Sequence, residues 1–328
     1  MTPKIMLIIN PISGTGDKAG LAAMVTERLG ARGYDVDVRY TTCSGDATRL
    51  AREAIDRKYV AVLAAGGDGT INETARALCD TDTALGIIPA GSGNGLARHI
   101  GIPIDPELSL DVIEQMHPEQ VDYGTVNGSE FFCTMGVGFD AAVSHRFAAK
   151  RRRGLIMYVK SAIDEYKTFT PQRYTLSANG RIITRDAFII AVANASQYGN
   201  NAYIAPEASI VDGLLDVTII HAGNPLETAR MGLDMMTGYL NKNMLIETFR
   251  TPSVVIYRSE GGPAHIDGEP VALGPILDIR CHRHALKVLT PVKQTTFKPV
   301  LTPIASFMQD LRIRIGNIFK PKIKSQLN

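Results

Sequence analysis

Three short glycine-rich stretches, "NPISGTG" (residues 10–16), "GGDGTINE" (66–73) and "PAGSGNGLAR" (89–98), each follow an apolar run that reads as a buried strand. Glycine lets backbone N–H groups approach an anion with no Cβ in the way, and a helix starting there adds positive dipole. One such stretch ends a strand for steric reasons as readily as it binds phosphate. Three at successive strand ends would converge on one phosphate-sized site. Neither G-x-x-x-x-G-K-[ST] nor G-x-G-x-x-G with a well-placed acidic residue is present, which excludes the two standard nucleotide fingerprints. A second kind of chemistry sits in "HIDGEP" (265–270), where Asp267 and Glu269 flank a glycine. Alternate residues of an extended segment point the same way, so this pair is expected to act together as a base and its partner.

The elements that would carry these loops alternate in type. Residues 4–10 read as a strand, 19–32 as a helix, "YDVDVRYT" as a strand, 45–57 as a helix and 60–65 as a strand. Residues 72–78 then open a helix and 84–90 form a strand. That order predicts an α/β N-terminal domain built on a parallel sheet with helices on both faces, binding ligand beyond the carboxyl ends of its strands. From Val121 onward the chain becomes a series of short β-rich runs split by Asn-Gly and Gly-rich turns, with "SANGRI" a strong hairpin signal. Helical interruptions are expected over 144–169 and 225–240. The second domain is therefore expected to be a mainly antiparallel β-sandwich. The expected divisions are 1–122, 123–290 and a tail over 291–328.

Length and composition agree with this frame. At 328 residues, two domains sharing an interface is the default expectation. Apolar residues make up 45% and charged residues 21%, an ordinary soluble balance, and a net charge of +2 gives no argument for nucleic acid. Cys43, Cys79, Cys133 and Cys281 lie far apart with no C-x-x-C pair, which argues against a zinc site or disulfide framework and for a reducing cytoplasm. The N-terminus lacks the pattern of a signal peptide, and no run of 18 apolar residues is available to span a bilayer. In the tail, Ile304, Phe307, Met308, Leu311, Ile315 and Ile318 fall on one helical face, with Arg312, Arg314, Lys320, Lys322 and Lys324 supplying charge. Such a helix either docks on the protein's own core or lies on an anionic membrane surface. The basic run "KRRRG" (150–154) is likewise either a solvated face or a contact for an anionic bilayer.

Taken in order from Asn10 to Pro270, "NPISG", "GGDGTINE", "GIIPAGSGNGLAR", "MGVGFDA", "ANASQYGNNAYIAPEASIVDGLLDV" and "HIDGEP" resemble the motif series of the diacylglycerol kinase and sphingosine kinase superfamily of lipid kinases. The resemblance implies an NAD-kinase-like ATP-binding domain, a β-sandwich domain for the lipid, and an active site in the cleft between them. It implies ATP and Mg²⁺ as cofactors and transfer of the γ-phosphate to a lipid hydroxyl on diacylglycerol, a sphingoid base or a related lipid. The implied partners are that lipid and the anionic inner membrane face, where the protein would be peripheral. No nucleic acid is implied, and an oligomer is left open.

Phosphoryl transfer needs the triphosphate held, its charge neutralised, and a hydroxyl placed in line. On the resemblance, Gly66, Gly67 and Gly69 wrap the phosphates, Asp68 faces metal or substrate hydroxyl, and Thr70 and Asn72 add hydrogen bonds. Asn10, Ser13 and Gly14 form a first nucleotide loop, Thr41 is a further nucleotide contact, and Ser92 and Asn94 lie in the third loop. Glu269 is the implied proton acceptor, with Asp267 beside it. "ASIVDGLLDV" resembles a structural magnesium loop with ligands at Ser209, Asp212 and the carbonyl of Leu214; Ser209, being neutral, would ligate through its carbonyl or water, and Asp216 is a replacement carboxylate. The third loop reads "GSGNGLAR" where many bacterial members read "GTxND", closer to sphingosine and ceramide kinases. Asp122 matches a position at the domain junction. Two other readings remain: a kinase of a nucleotide such as NAD, because NAD kinases share "GGDGT", and a non-catalytic lipid- or nucleotide-binding relative.

Overall fold

The fold is that of a computed structural model describing residues 2–14, 18–148, 164–166, 168–240, 243–292 and 298–319. Its first part alternates β1 (Lys4–Ile9), α1 (Lys18–Ala31), β2 (Asp35–Tyr40), α2 (Asp46–Asp56), β3 (Ala61–Gly66), α3 (Asp68–Leu78) and β4 (Ala84–Pro89). The strands lie parallel in the order β2-β1-β3-β4. Successive side chains of β1 take opposite faces, as the pleat requires. Ile5, Leu7 and Ile9 pack with Leu21, Val25 and Leu29 of α1, while Met6 and Ile8 pack with Leu50 of α2 and Ile71 and Leu78 of α3. Because both faces are covered, β3 and β4 are buried along their whole length.

Two helices follow that the sequence pattern did not suggest, α4 (Gly95–His99) and α5 (Pro106–Glu114). The start of α5 carried a readable signal: Asp105 accepts from the N–H groups of Glu107 and Leu108, and Pro106 occupies the first turn. The chain then forms β5 (Pro118–Val126), β6 (Ser129–Phe131), β7 (Thr134–Gly138), α6 (Phe139–Ala148), β8 (Gln172–Ala178), β9 (Arg181–Ala187), β10 (Ile189–Ala193) and β11 (Leu215–Ile220). After these come α7 (Pro225–Thr237), β12 (Ile246–Thr251), β13 (Ser253–Arg258), β14 (Gly262–Ile266), β15 (Glu269–Leu273), β16 (Ile276–Leu289) and α8 (Leu301–Phe319).

An antiparallel sheet β12-β11-β10-β7-β14-β15 forms one layer of the second part. The other layer continues the first sheet, which runs β2-β1-β3-β4-β16-β13-β8-β9, with β5 on β16 and β6 on β5. Phe131, Tyr174, Leu176, Val254, Ile256, Leu277 and Ile279 of this layer meet Met135, Val137, Val192, Leu215, Val217 and Ile266 of the other. The fold is therefore an α/β domain with a parallel sheet followed by a mainly antiparallel β-sandwich. The Asn179-Gly180 hairpin forms as expected, both residues having positive φ. Two expected boundaries move. The helix placed at 72 begins at Asp68, and the helix placed at 144 begins at Phe139; residues 149–163 of it, with the basic run at 150–154, lie outside the described residues. The side chains of Arg312, Arg314, Ile315 and Ile318, and all of 320–328, also lie outside them. Among the described residues, no helix is long and apolar enough to cross a membrane.

Candidate active site

Adjacent strands β1, β3 and β4 end at the same edge, so the segments after them meet there. The Asn10 N–H donates to Ala65 O at 3.0 Å, and the Ala90 N–H to Gly66 O at 2.8 Å. The glycines are required by contact. A Cβ on Gly91 would lie 2.6 Å from Gly67 Cα, and one on Gly14, whose φ is +62°, would lie 2.5 Å from Ala90 O. The three glycine segments thus touch one another through bare backbone.

Asp68 is the first residue of α3 rather than part of a free loop. Its carboxylate accepts the N–H groups of Asn94 at 2.9 Å and Gly95 at 2.7 Å, closing the N-terminus of α4. The N-terminus of α3 itself has no side-chain cap: Gly67 precedes it in extended conformation. Thr70, buried, accepts from Asn10 Nδ2 at 3.1 Å, so this pair ties the first loop to the second. Asn94 is also buried, with φ of +51°, and its amide bridges the backbone of Gly91 across the third loop. Ser13 donates to Asn10 O, Thr41 is buried where β2 ends beside Ile9, and Ser92 is exposed. Asn10, Ser13, Gly14, Gly66, Gly67, Gly69, Thr70, Ser92 and Asn94 therefore gather at one edge, while the side chains of Thr70 and Asn94 serve the loops themselves.

"HIDGEP" departs from the extended geometry expected of it. Asp267 and Gly268 have φ of +49° and +81° and form the two-residue turn between β14 and β15, with Ile266 opposite Glu269. The two carboxylates consequently do not point together. That of Asp267 turns inward, accepting the N–H groups of Phe132 at 2.9 Å, Cys133 at 2.8 Å and Thr134 at 2.9 Å, and Nδ2 of Asn72 at 3.1 Å. Burial raises its pKa above the usual carboxylate value, and the three backbone donors pull it back in part. Glu269 is exposed, and its Oε1 would lie 3.4 Å from a Cβ on Gly69. One carboxylate is spent on the fold, and the other stands over the start of α3.

In the 209–216 loop the side chains expected to face a cation are engaged within the protein. Ser209 Oγ accepts from the Val211 N–H, and Asp212 Oδ1 accepts from the Leu214 N–H at 3.0 Å, so both side chains close local turns. A cation is already present: the Arg250 guanidinium lies 3.9 Å from Asp212 and 3.0 Å from Asp216 and donates to Glu207 O. Asp216 Oδ2 is buried without a hydrogen-bond partner beside a cavity of about 220 Å³. Burial raises the pKa of Asp216, against the pull of Arg250. Among the described residues, no group of three or more His, Cys, Asp or Glu is placed to hold a metal. Asp122, buried, instead receives the N–H groups of Gly213 and His284, which joins this loop to β16.

Several residues of the site had no assigned role in the sequence. Gly199 approaches Gly93, a Cβ there lying 3.0 Å from Gly93 Cα, and the Asn200 N–H donates to Gly93 O. Buried Asp140 receives the Tyr198 hydroxyl at 2.8 Å and His265 Nε2 at 3.0 Å, while the Gly268 N–H points at His265 Nδ1. With Nδ1 accepting, the proton sits on Nε2 and donates to Asp140. This relay supports the turn that carries Asp267. Gly136 was its readable trace, since a Cβ there would collide with both Asp140 and His265.

Residues 4–126 match the diacylglycerol kinase catalytic domain, and residues 133–290 match the YegS C-terminal NAD kinase β-sandwich-like domain. A diacylglycerol kinase of Bacillus subtilis is 29% identical over 88% of this chain and 96% of its own length. A protein of Chromohalobacter salexigens described as "probable lipid kinase YegS-like" is 32% identical over 74% of this chain and 80% of its own. The fold is shared with the crystal structure of a diacylglycerol kinase from Bacillus anthracis, with a TM-score of 0.71 at 20% identity over 89% of this chain and 98% of that one. The chain is a member of the diacylglycerol kinase catalytic domain family, carrying the YegS-type C-terminal domain.

Proposed function

We propose that the chain is an ATP- and Mg²⁺-dependent lipid kinase that moves the γ-phosphate of ATP onto a lipid hydroxyl at a membrane surface. The observation that carries this reading is the open N-terminus of α3, without a side-chain cap and walled by Gly67, Gly69 and Gly91, with the exposed Glu269 beside it. Such an end favours phosphate through its dipole and free N–H groups. The comparable end of α4 is closed by Asp68, so the anion seat belongs to α3. Among the described residues no donor is bonded to Glu269, which leaves its carboxylate to accept the proton of the attacking hydroxyl. The hydroxyl oxygen then bonds the γ-phosphorus as the bond to the β-phosphate oxygen breaks and ADP leaves. Mg²⁺ arriving with the triphosphate would neutralise its charge, and the Asp68 carboxylate, which keeps lone pairs beyond its two N–H bonds, is a hard oxygen donor suited to it.

A positioned general base contributes about 10²–10⁴-fold, and a largely dissociative transition state asks little of it, so Glu269→Gln is expected to lower transfer by about 10²-fold, the low end of that range. The test is transfer of labelled γ-phosphate to sphingosine, dihydrosphingosine, ceramide, diacylglycerol and NAD, with wild-type protein and Glu269→Gln compared. Labelling of a lipid that disappears in the variant is the expected result. Labelling of NAD alone overturns the lipid acceptor, and no labelling overturns the kinase reading.

A further inference from the structure

Helix α8 is held to the protein by its polar side. Ser306 and Asp310, one turn apart, meet Arg98 at 3.0 and 2.7 Å, and the Arg98 and Asp310 side chains are only 7% and 17% exposed. The other side of α8 is apolar and open to solvent: Leu301, Ile304, Phe307 and Leu311 are 64%, 54%, 62% and 40% exposed. A helix that stabilises a soluble core does the reverse. Helix α7 touches α8, the Val300 N–H donating to Thr237 O at their junction, and it exposes Leu226 and Leu233 at 80% and 67%. Apolar surface gathered in this way marks an interaction site.

We propose that α7 and α8 together seat the protein on an anionic lipid bilayer, with the apolar stripe entering the headgroup region. The proposal rests on the lipid-kinase reading, and charge selects the occupant. Arg312, Arg314, Lys320, Lys322 and Lys324 follow the stripe in sequence, and a basic run that continues an apolar segment suits anionic headgroups. A second copy of the chain would bring the same cations together, which disfavours it. The seat is tied to the catalytic edge by one side chain, because Arg98 Nε also donates to Gly93 O of the third glycine loop at 3.0 Å. A bilayer held by α8 is thus held in register with the phosphate-binding backbone.

The test uses the full chain with vesicles of phosphatidylglycerol in phosphatidylcholine, and of phosphatidylcholine alone. Ile304→Asp combined with Phe307→Asp is expected to cut sedimentation with the anionic vesicles about tenfold, to keep phosphorylation of a dispersed short-chain lipid, and to lower phosphorylation of lipid in vesicles. Asp310→Ala keeps the stripe but cuts its tie. It is expected to hold sedimentation within about twofold while transfer to vesicle lipid falls about fivefold. Undiminished sedimentation of the double variant overturns the seat, as does a change from dimer to monomer with vesicle binding unaltered. Equal sedimentation of the wild type with both vesicles overturns the anionic assignment, and unchanged vesicle transfer by Asp310→Ala overturns the tie. If the wild type phosphorylates no lipid, the kinase reading fails, while the sedimentation comparison still decides the seat.

Discussion

Asp267 accepts four N–H donors and Glu269 accepts none among the described residues, so the two carboxylates of one hairpin should answer differently to substitution. Asp267→Ala strands the amides of Phe132, Cys133 and Thr134 and is expected to cost about 3 kcal/mol of stability. Glu269→Gln lies on the surface and should cost under about 0.5 kcal/mol while removing transfer. Melting and phosphoryl transfer measured on both variants check this, and an Asp267→Asn protein that melts like wild type yet transfers nothing would give Asp267 the proton instead. A second residue-scale effect concerns His99, at the end of α4. Burial pushes its pKa down to about 4, and its Nδ1 accepts the Ser196 N–H from the other half of the chain at 3.1 Å. The folded state therefore prefers neutral imidazole. Its contribution is complete above the ordinary pKa of about 6.5 and is lost as pH falls from there toward about 4. Allowing for partial exposure, the loss is roughly 2 kcal/mol. Thermal melting from pH 7 to 4 should show a steeper decline in the wild type than in His99→Gln, whose amide can accept the same bond without titrating; equal slopes would remove His99 from the explanation.

At the scale of elements, what was legible followed from local pattern. The unbroken apolar runs of β1, β3 and β4 and the Asn-Gly turn at 179–180 could be read directly, because burial on both faces and left-handed φ each leave a mark on residue type. The start of α3 could not, because Asp68, Gly69 and Thr70 have the composition of a loop, although the Ile71 N–H already bonds Gly67 O. "HIDGEP" carried an Asp-Gly turn signal, yet its alternating carboxylates invited an extended assignment. The contact of Arg250, on β12, with the 209–216 loop was not legible, because no local pattern announces a partner so far along the chain. That arrangement makes a prediction about metal. Removing divalent ions from nucleotide-free protein should leave the melting temperature unchanged, and the purified chain should retain no magnesium. Arg250→Ala, which unpairs Asp216 but is itself 40% exposed, should cost about 1–2 kcal/mol. A melting temperature that rises on adding Mg²⁺ alone would mean the loop takes a metal despite Arg250.

The whole molecule is organised by a sheet that does not stop between its halves. Strand β16, of which only "ILDIRCH" stood out as β in the sequence, runs from Ile276 to Leu289 and lies parallel to β4 at Val288 opposite Leu85. It also pairs with β13 and, along most of its length, with β5. Its Leu286 and Val288 pack in the core with α2 and α3, and its Leu289 packs in the core with α1. Pairings between strands this far apart in sequence are set by three-dimensional closure, so a division near residue 122, inside β5, was the natural expectation from texture alone. The consequence is thermodynamic. A fragment ending at 122 would lose β16, opening one edge of β4 and withdrawing three buried side chains from the cores around α1, α2 and α3. Such a fragment is expected to aggregate or to melt without cooperativity. The complete chain should melt in a single transition, with a ratio of calorimetric to van't Hoff enthalpy near about 1. Two resolved transitions would mean the halves fold independently. A single one follows from the passage of one sheet through both halves, because the second layer, which carries Glu269 at the start of β15, packs its core side chains directly against that sheet and should melt with it.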